Sequence, residues 1–158
     1  MYRKQQGQVE VLLVHPGGPF WAKKDLGAWS IPKGEVNHGE NELATAQREF
    51  EEEIGFQPQG PFLPVGEVKL KGGKVVRAWA FEGSLDPTRI RSNTFRLEWP
   101  PRSGHFQDFP EIDRAGFFSI KEAKEKIIPA QVPLLEALRR QIAGSPDAQK
   151  NSSSSCTC

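Results

Sequence analysis

The stretch "GEVNHGENELATAQREFEEEIGF", residues 34–56, gathers Glu35, Glu40, Glu42, Glu49, Glu51, Glu52 and Glu53 into one segment of a chain whose net charge is only +1. From Glu40 to Ile54 it holds neither proline nor glycine, and Leu43, Ala46, Phe50 and Ile54 recur at helical spacing. That pattern predicts an amphipathic helix whose apolar stripe faces the core. At about 100° per residue, Glu49, Glu52 and Glu53 share an adjacent arc while Glu51 points away from it. Helix propensity and the N-terminal dipole account for Glu40 and Glu42. They do not account for Glu49, Glu51, Glu52 and Glu53, which lie where the dipole disfavours anions and where like charges four residues apart repel, with Arg48 as the nearby cation. A bound hard cation with oxygen ligands would compensate that repulsion; a solvated acidic face is the competing reading.

Outward from this helix the pattern turns to strands. "QVEVLLVH" (8–15) is a short apolar, β-branched run that reads as a buried strand, and the Gly/Pro-rich "PGGPFWAKKDLGA" after it reads as a loop. "WSIP" reads as a brief strand entering the acidic segment. Residues 64–83 alternate on both sides of Gly72-Gly73, the signature of a β-hairpin. "TFRLEWP" reads as a strand, "GHFQDFPE" as an irregular loop, "RAGFFSI" as a core strand, and "KEAKEKI" and "VPLLEALRRQIA" as helices. This order fits an α+β domain with a largely antiparallel or mixed sheet better than alternating βαβ units.

Composition narrows the function classes. At 158 residues the chain suits one domain, expected over 1–144, with 145–158 as a flexible C-terminal tail after Gly144 and Pro146. A sequence pI near 7.8 gives no electrostatic footprint for duplex nucleic acid or an anionic membrane, which points to small-molecule partners. No window carries the roughly 18 consecutive apolar residues of a membrane helix, and "MYRKQQGQVEVLL" lacks the apolar core of a signal peptide, so a cytoplasmic protein is expected. Cys156 and Cys158, in the terminal "NSSSSCTC", offer no disulfide framework.

The acidic segment resembles the Nudix box: Gly, five residues, Glu, seven residues, Arg-Glu, an aliphatic, any residue, Glu-Glu, any residue, Gly, an aliphatic. Gly34, Glu40, Arg48, Glu49, Glu52, Glu53 and Gly55 match its fixed positions, while Phe50 and Phe56 stand where the family usually has Ile, Leu or Val. The box covers about a seventh of the chain, and the flanking order of strand, loop, hairpin and C-terminal helices is that of the family's α/β/α sandwich around a mixed sheet.

The resemblance implies a metal-dependent pyrophosphatase. Glu49, Glu52 and Glu53 would hold Mg²⁺ or Mn²⁺ against a pyrophosphate, joined by the carbonyl of Lys33, which precedes the box glycine. Arg48 would orient a glutamate, Glu40 would support the loop, and Gly34 and Gly55 would supply tight turns. The chemistry needs neutralised phosphoryl oxygens and an activated water. Glu49 is one candidate general base. In several subfamilies the base comes instead from the loop before the last core strand, here "GHFQDFPEID", which makes Glu111 the choice ahead of Asp108, Asp113 and Glu98.

For the substrate the sequence offers less. Lys23, Lys24, Lys33 and Arg77 are candidate phosphate contacts against a reading as solvated charges, Phe20 and Trp21 could stack on a base or pack under a lid, and Trp79 reads as core. His15, His38 and His105 are too scattered for a metal triad and read as structural or surface residues. "WSIPKGE" is similar to the entry to the box in members acting on dinucleoside polyphosphates or nucleoside triphosphates, which favours a phosphoanhydride in a nucleoside diphosphate linked to another moiety. A non-catalytic, nucleotide-sensing or protein-binding module of the same fold is the alternative, although such modules commonly lose box glutamates. A calcium-binding protein is a third reading, but no dense Asp/Asn/Gly ligand loop accompanies the helix.

Overall fold

A computed structural model describes residues 1–35 and 38–145. Its spine is β2 (Gln8–Pro16), which pairs antiparallel with β1 (Tyr2–Gln5) on one side and β7 (Ile112–Ser119) on the other. The hairpin β3 (Leu63–Lys69) and β4 (Val75–Ala80) turns at Gly72 and Gly73, both at positive φ. Just past β4, the Tyr2 amide donates to the Phe81 carbonyl at 3.0 Å and the Gly83 amide to the Tyr2 carbonyl at 2.9 Å. This parallel stitch makes the assembly mixed rather than purely antiparallel.

β2 is apolar on both faces, and that is what makes three layers. Val11 and Leu13 pack with Trp29, Ile127, Leu135 and Leu138; Leu12 and Val14 pack with Phe50, Ile54, Phe81 and Ile112. The first cluster is covered by α2 (Ile120–Lys126) and α3 (Val132–Ala143), the second by α1 (Glu42–Ile54). Each helix has a sequence-coded start or stop. The Asn41 side chain accepts from the amides of Leu43 and Ala44, Gly55 ends α1 at φ 75°, and Ser119 with Glu122 forms a capping box on α2.

Two expectations need correction, and one element is new. "GHFQDFPE" is not an irregular loop: Phe106–Pro110 is a strand, β6, paired with β5 (Thr94–Glu98) in a two-stranded ribbon. "WSIP" contributes only isolated bridges, Val14 to Ser30 and Trp29 to Ile127. Residues 2–5, unassigned from the sequence, form β1. The expected tail falls, from residue 146 on, outside the described residues. Among the described residues no helix is long and apolar enough to cross a membrane.

Candidate active site

α1 presents its acids beside the segment that leads into it. The Lys33 amide donates to Glu53 Oε2 at 3.1 Å. Gly34 lies so close to the Glu49 side chain that a Cβ there would stand 1.7 Å from the Glu49 carboxyl carbon. The 30–31 backbone just upstream is held from across the core by Gln131, fully buried, whose Oε1 accepts from the Ile31 amide at 3.0 Å and whose amide donates to Ser30 Oγ at 3.2 Å. The sequence reading missed Gln131, because its partners lie about a hundred positions away and no local pattern announces them.

Arg48 organises the other side of the helix. Its guanidinium donates to both oxygens of Glu40, at 2.9 and 3.2 Å, to Glu52 at 3.1 Å and to the Glu35 carbonyl at 3.3 Å, and lies 3.1 Å from Glu49 Oε1. Glu52 therefore leans toward Arg48, while Glu53 turns inward to Lys33. Glu51 is exposed and its carbonyl accepts the Gly55 capping amide. The three box carboxylates are thus split between two sets of partners. Among the described residues, no three His, Cys, Asp or Glu side chains are grouped so that they could hold a metal ion.

Electrostatics single out Glu53. Burial pushes its carboxyl up to about 7; the Lys33 amide bond and charge oppose that rise, and the charges of Glu49 and Glu111 reinforce it. Glu111, read from the sequence as a loop residue, is thereby close enough for its charge to act on the box. It sits at the junction of β6 and β7, and its peptide is fixed at both ends: its amide donates to the Asn93 carbonyl at 2.8 Å and its carbonyl accepts from Gly17 at 2.9 Å. The other acids of that region are engaged elsewhere. Glu98 accepts from the Gly104 amide, Asp108 stands opposite Arg96 in the ribbon, and Asp113 contacts His15.

The candidate phosphate contacts are dispersed. Lys33 borders the carboxylates, whereas Lys24 places its ammonium over the Trp21 ring at 4.8 Å, and Lys23 is exposed on the same loop. Arg77 pairs with Glu42 and Glu67. Phe20, 58% exposed, meets Trp99 edge-on. Trp79 is half-buried on the wall of a cavity of about 600 Å³ between α1, the β3–β4 hairpin and α3. Leu43, Ala46, Phe50 and Leu138 contribute to its apolar lining, and Lys33, Gly34 and Glu35 line the side nearest the box.

The NUDIX domain family model matches residues 1–138. The chain belongs to the Nudix family. Among curated proteins it is 28% identical over 134 residues to mRNA decapping complex subunit 2 of Schizosaccharomyces pombe, a match spanning 81% of this chain and only 18% of that protein. Among solved structures, a C. elegans Ap4A hydrolase binary complex superimposes with a TM-score of 0.64 at 22% identity, covering 91% of this chain and 95% of the other. The NUDIX domain of Shewanella oneidensis NrtR, complexed with ADP ribose, superimposes with a TM-score of 0.60 at 16% identity, over 89% and 82%. The mixed α+β sandwich of this chain is the fold of these Nudix structures.

Gly34 provides a direct check on the role of Glu49. A methyl at Gly34 meets the far end of a flexible side chain rather than backbone, so Glu49 can swing aside at little cost in stability. Gly34→Ala is therefore expected to lower kcat by about tenfold or more while the melting temperature moves by no more than a few degrees. Full activity in this Nudix variant would show that the position of the Glu49 carboxyl is immaterial.

Proposed function

We propose that this Nudix protein hydrolyses a phosphoanhydride bond in a nucleoside diphosphate linked to another moiety, with dinucleoside polyphosphates and nucleoside triphosphates favoured, and that it needs Mg²⁺ or Mn²⁺ to do so. The observation that carries the reading is that half-buried Glu53, bonded to the Lys33 amide, and Glu49, packed against Gly34, stand together at the entry to α1, where the charge of Glu111 also acts. Such a surplus of oxygen donors fits a hard divalent ion.

Glu49 and Glu53, with the Lys33 carbonyl, would hold the ion, and Glu52 would join them only by leaving the Arg48 guanidinium that it meets at 3.1 Å. Bound there, such an ion would supply charge neutralisation for the phosphoryl oxygens and for the developing hydroxide. The residues of the chain do the remaining work. Glu111, on a peptide fixed by Asn93 and Gly17, accepts the proton of the attacking water. Arg48 sets the Glu52 and Glu40 carboxylates, and the missing Cβ at Gly34 lets Glu49 approach the backbone. The apolar cavity bordering Lys33 and Gly34 suits the base or another apolar portion of the substrate.

Hydrolysis in ¹⁸O-water tests the proposal across a panel of dinucleoside polyphosphates, nucleoside triphosphates, ADP-ribose and a capped RNA. Label on a phosphate product of an anhydride substrate is the expected result. Turnover restricted to phosphomonoesters, or none across the panel with Mg²⁺ present, would favour other esterase chemistry or a silent nucleotide-binding module.

A further inference from the structure

The His15 side chain has no exposed surface at all. Both ring nitrogens face acceptors. Nε2 lies 2.6 Å from the Lys24 carbonyl oxygen, which can only accept, so Nε2 carries a proton and donates. Nδ1 lies 2.7 Å from Asp113 Oδ1, and a carboxylate likewise only accepts. A ring with a single proton would set a bare lone pair against one of the two. Its face is closed by Trp29, packed edge-on at 5.2 Å. The charged groups around this contact are Asp113 itself; Arg114, 3.6 Å from Asp113 and over the Trp29 ring; Lys126, over the same ring; and Asp25, bonded to Trp29 Nε1 and to Lys126.

The position of this contact gives it consequence. A bulge separates His15 from Pro16 in the pairing of β2 with β7, and two residues beyond His15 the Gly17 amide holds the Glu111 carbonyl. Gly17 sits so tightly there that a Cβ would stand 1.9 Å from the Pro110 carbonyl oxygen. His15 and Gly17, at the end of β2 and just past it, thus grip Asp113 and Glu111, at the start of β7 and just before it, while Nε2 ties the lysine-bearing loop to the same point. We propose that His15, donating from both ring nitrogens, is a positioning residue that clamps β7 to the 17–27 loop and so fixes Glu111 for proton transfer. The proposal rests on the reading of Glu111 as general base.

Two measurements on the full chain test it. With ¹⁵N-labelled histidine, the signal lost in His15→Gln is expected at pH 6 to show two ring N–H protons, both protected from exchange with solvent. A bare ring nitrogen, or rapid exchange at both, overturns the clamp even if the protein proves to have no hydrolase activity. In kinetics, His15→Phe keeps an aromatic ring against Trp29 but loses both donors. It is expected to lower kcat by about tenfold alone and to cost nothing further in a Glu111→Gln background, because both changes remove the same positioned group. Fully additive losses would mean that His15 acts on stability alone and would overturn the positioning role. If His15→Phe does not fold, Asp113→Asn enters the same cycle with the same expected non-additivity. Activity in the parent protein that is indifferent to Glu111→Gln would refute the general-base reading instead, leaving the ring spectra to decide the clamp.

Discussion

Glu53→Gln is expected to reduce kcat by about a hundredfold or more and, in the presence of a chelator, to make the protein more stable above pH 7. The first effect follows from removing a principal electrostatic group at a charge-developing site. The second follows from linkage. An unfolded glutamate titrates near 4.5, whereas burial raises the folded Glu53 carboxyl to about 7. Between those values the folded state binds more protons than the unfolded chain, so stability falls as pH rises. The contribution is fully present below about 4.5 and lost above about 7. Glutamine has no charge to desolvate and keeps an acceptor for the Lys33 amide. Thermal melts from pH 4 to 9 in EDTA should therefore slope downward through this window for the parent and less steeply for the variant, with the variant ahead by a few degrees at pH 8. Glu51→Gln serves as the control: its side chain is exposed on the opposite arc, and it should leave kcat within about twofold. A Glu51→Gln loss comparable to that of Glu53→Gln would refute the helical assignment of the site.

Removing divalent metal is expected to abolish turnover, and restoring Mg²⁺ or Mn²⁺ to recover it. The reason is the same crowding of negative charge: Glu49 and Glu111 both act on Glu53, and Lys33 opposes them there, while Arg48 is engaged by Glu40, Glu49 and Glu52. A ligand that binds only the folded state stabilises it by mass action, so millimolar Mg²⁺ should also raise the melting temperature, most at pH 8 where Glu53 is ionised. In Glu53→Gln the Mg²⁺-induced rise should shrink. Undiminished turnover in metal-free buffer, or equal Mg²⁺ stabilisation of parent and variant, would refute the carboxylate site.

How much of this was legible in the sequence depended on whether the signal was local. α1 was legible because its apolar stripe, its acids and its closing Gly55 all lie within one short segment. The β3–β4 hairpin announced itself through alternation around Gly72-Gly73. β6 did not, because a two-stranded ribbon does not need a buried face: its residues are mostly exposed and alternate too weakly to register. β1 escaped for a related reason, being a polar edge strand closed by Gln6-Gly7 rather than the usual Asn-Gly. In the site, the box acids were readable by type and spacing and Glu111 only through the family resemblance, yet the division of Glu52 toward Arg48 and Glu53 toward Lys33 was not, since it depends on the backbone entering the box, held at Ser30 and Ile31 by Gln131. His15 looked like one of three scattered histidines because Asp113 lies 98 positions away.

The two-faced character of β2 has a consequence for how its alignment is encoded. In a strand with one wet face, a slip of one residue exposes the apolar set and is strongly penalised. In β2, Val11 through Val14 are buried on both sides, so a slip would exchange one greasy surface for another and hydrophobicity would scarcely object. The alignment must be encoded by points that tolerate no translation. At one end is the two-residue turn of Gln6 and Gly7, both at positive φ, which ties Gln5 to Gln8. At the other is His15, whose ring meets both its acceptors only when β2 stands one way against β7. Between these two fixed ends the apolar middle of the strand is free to vary in side-chain identity, so sequence drift there can remodel the core without misaligning Gly17 against Glu111.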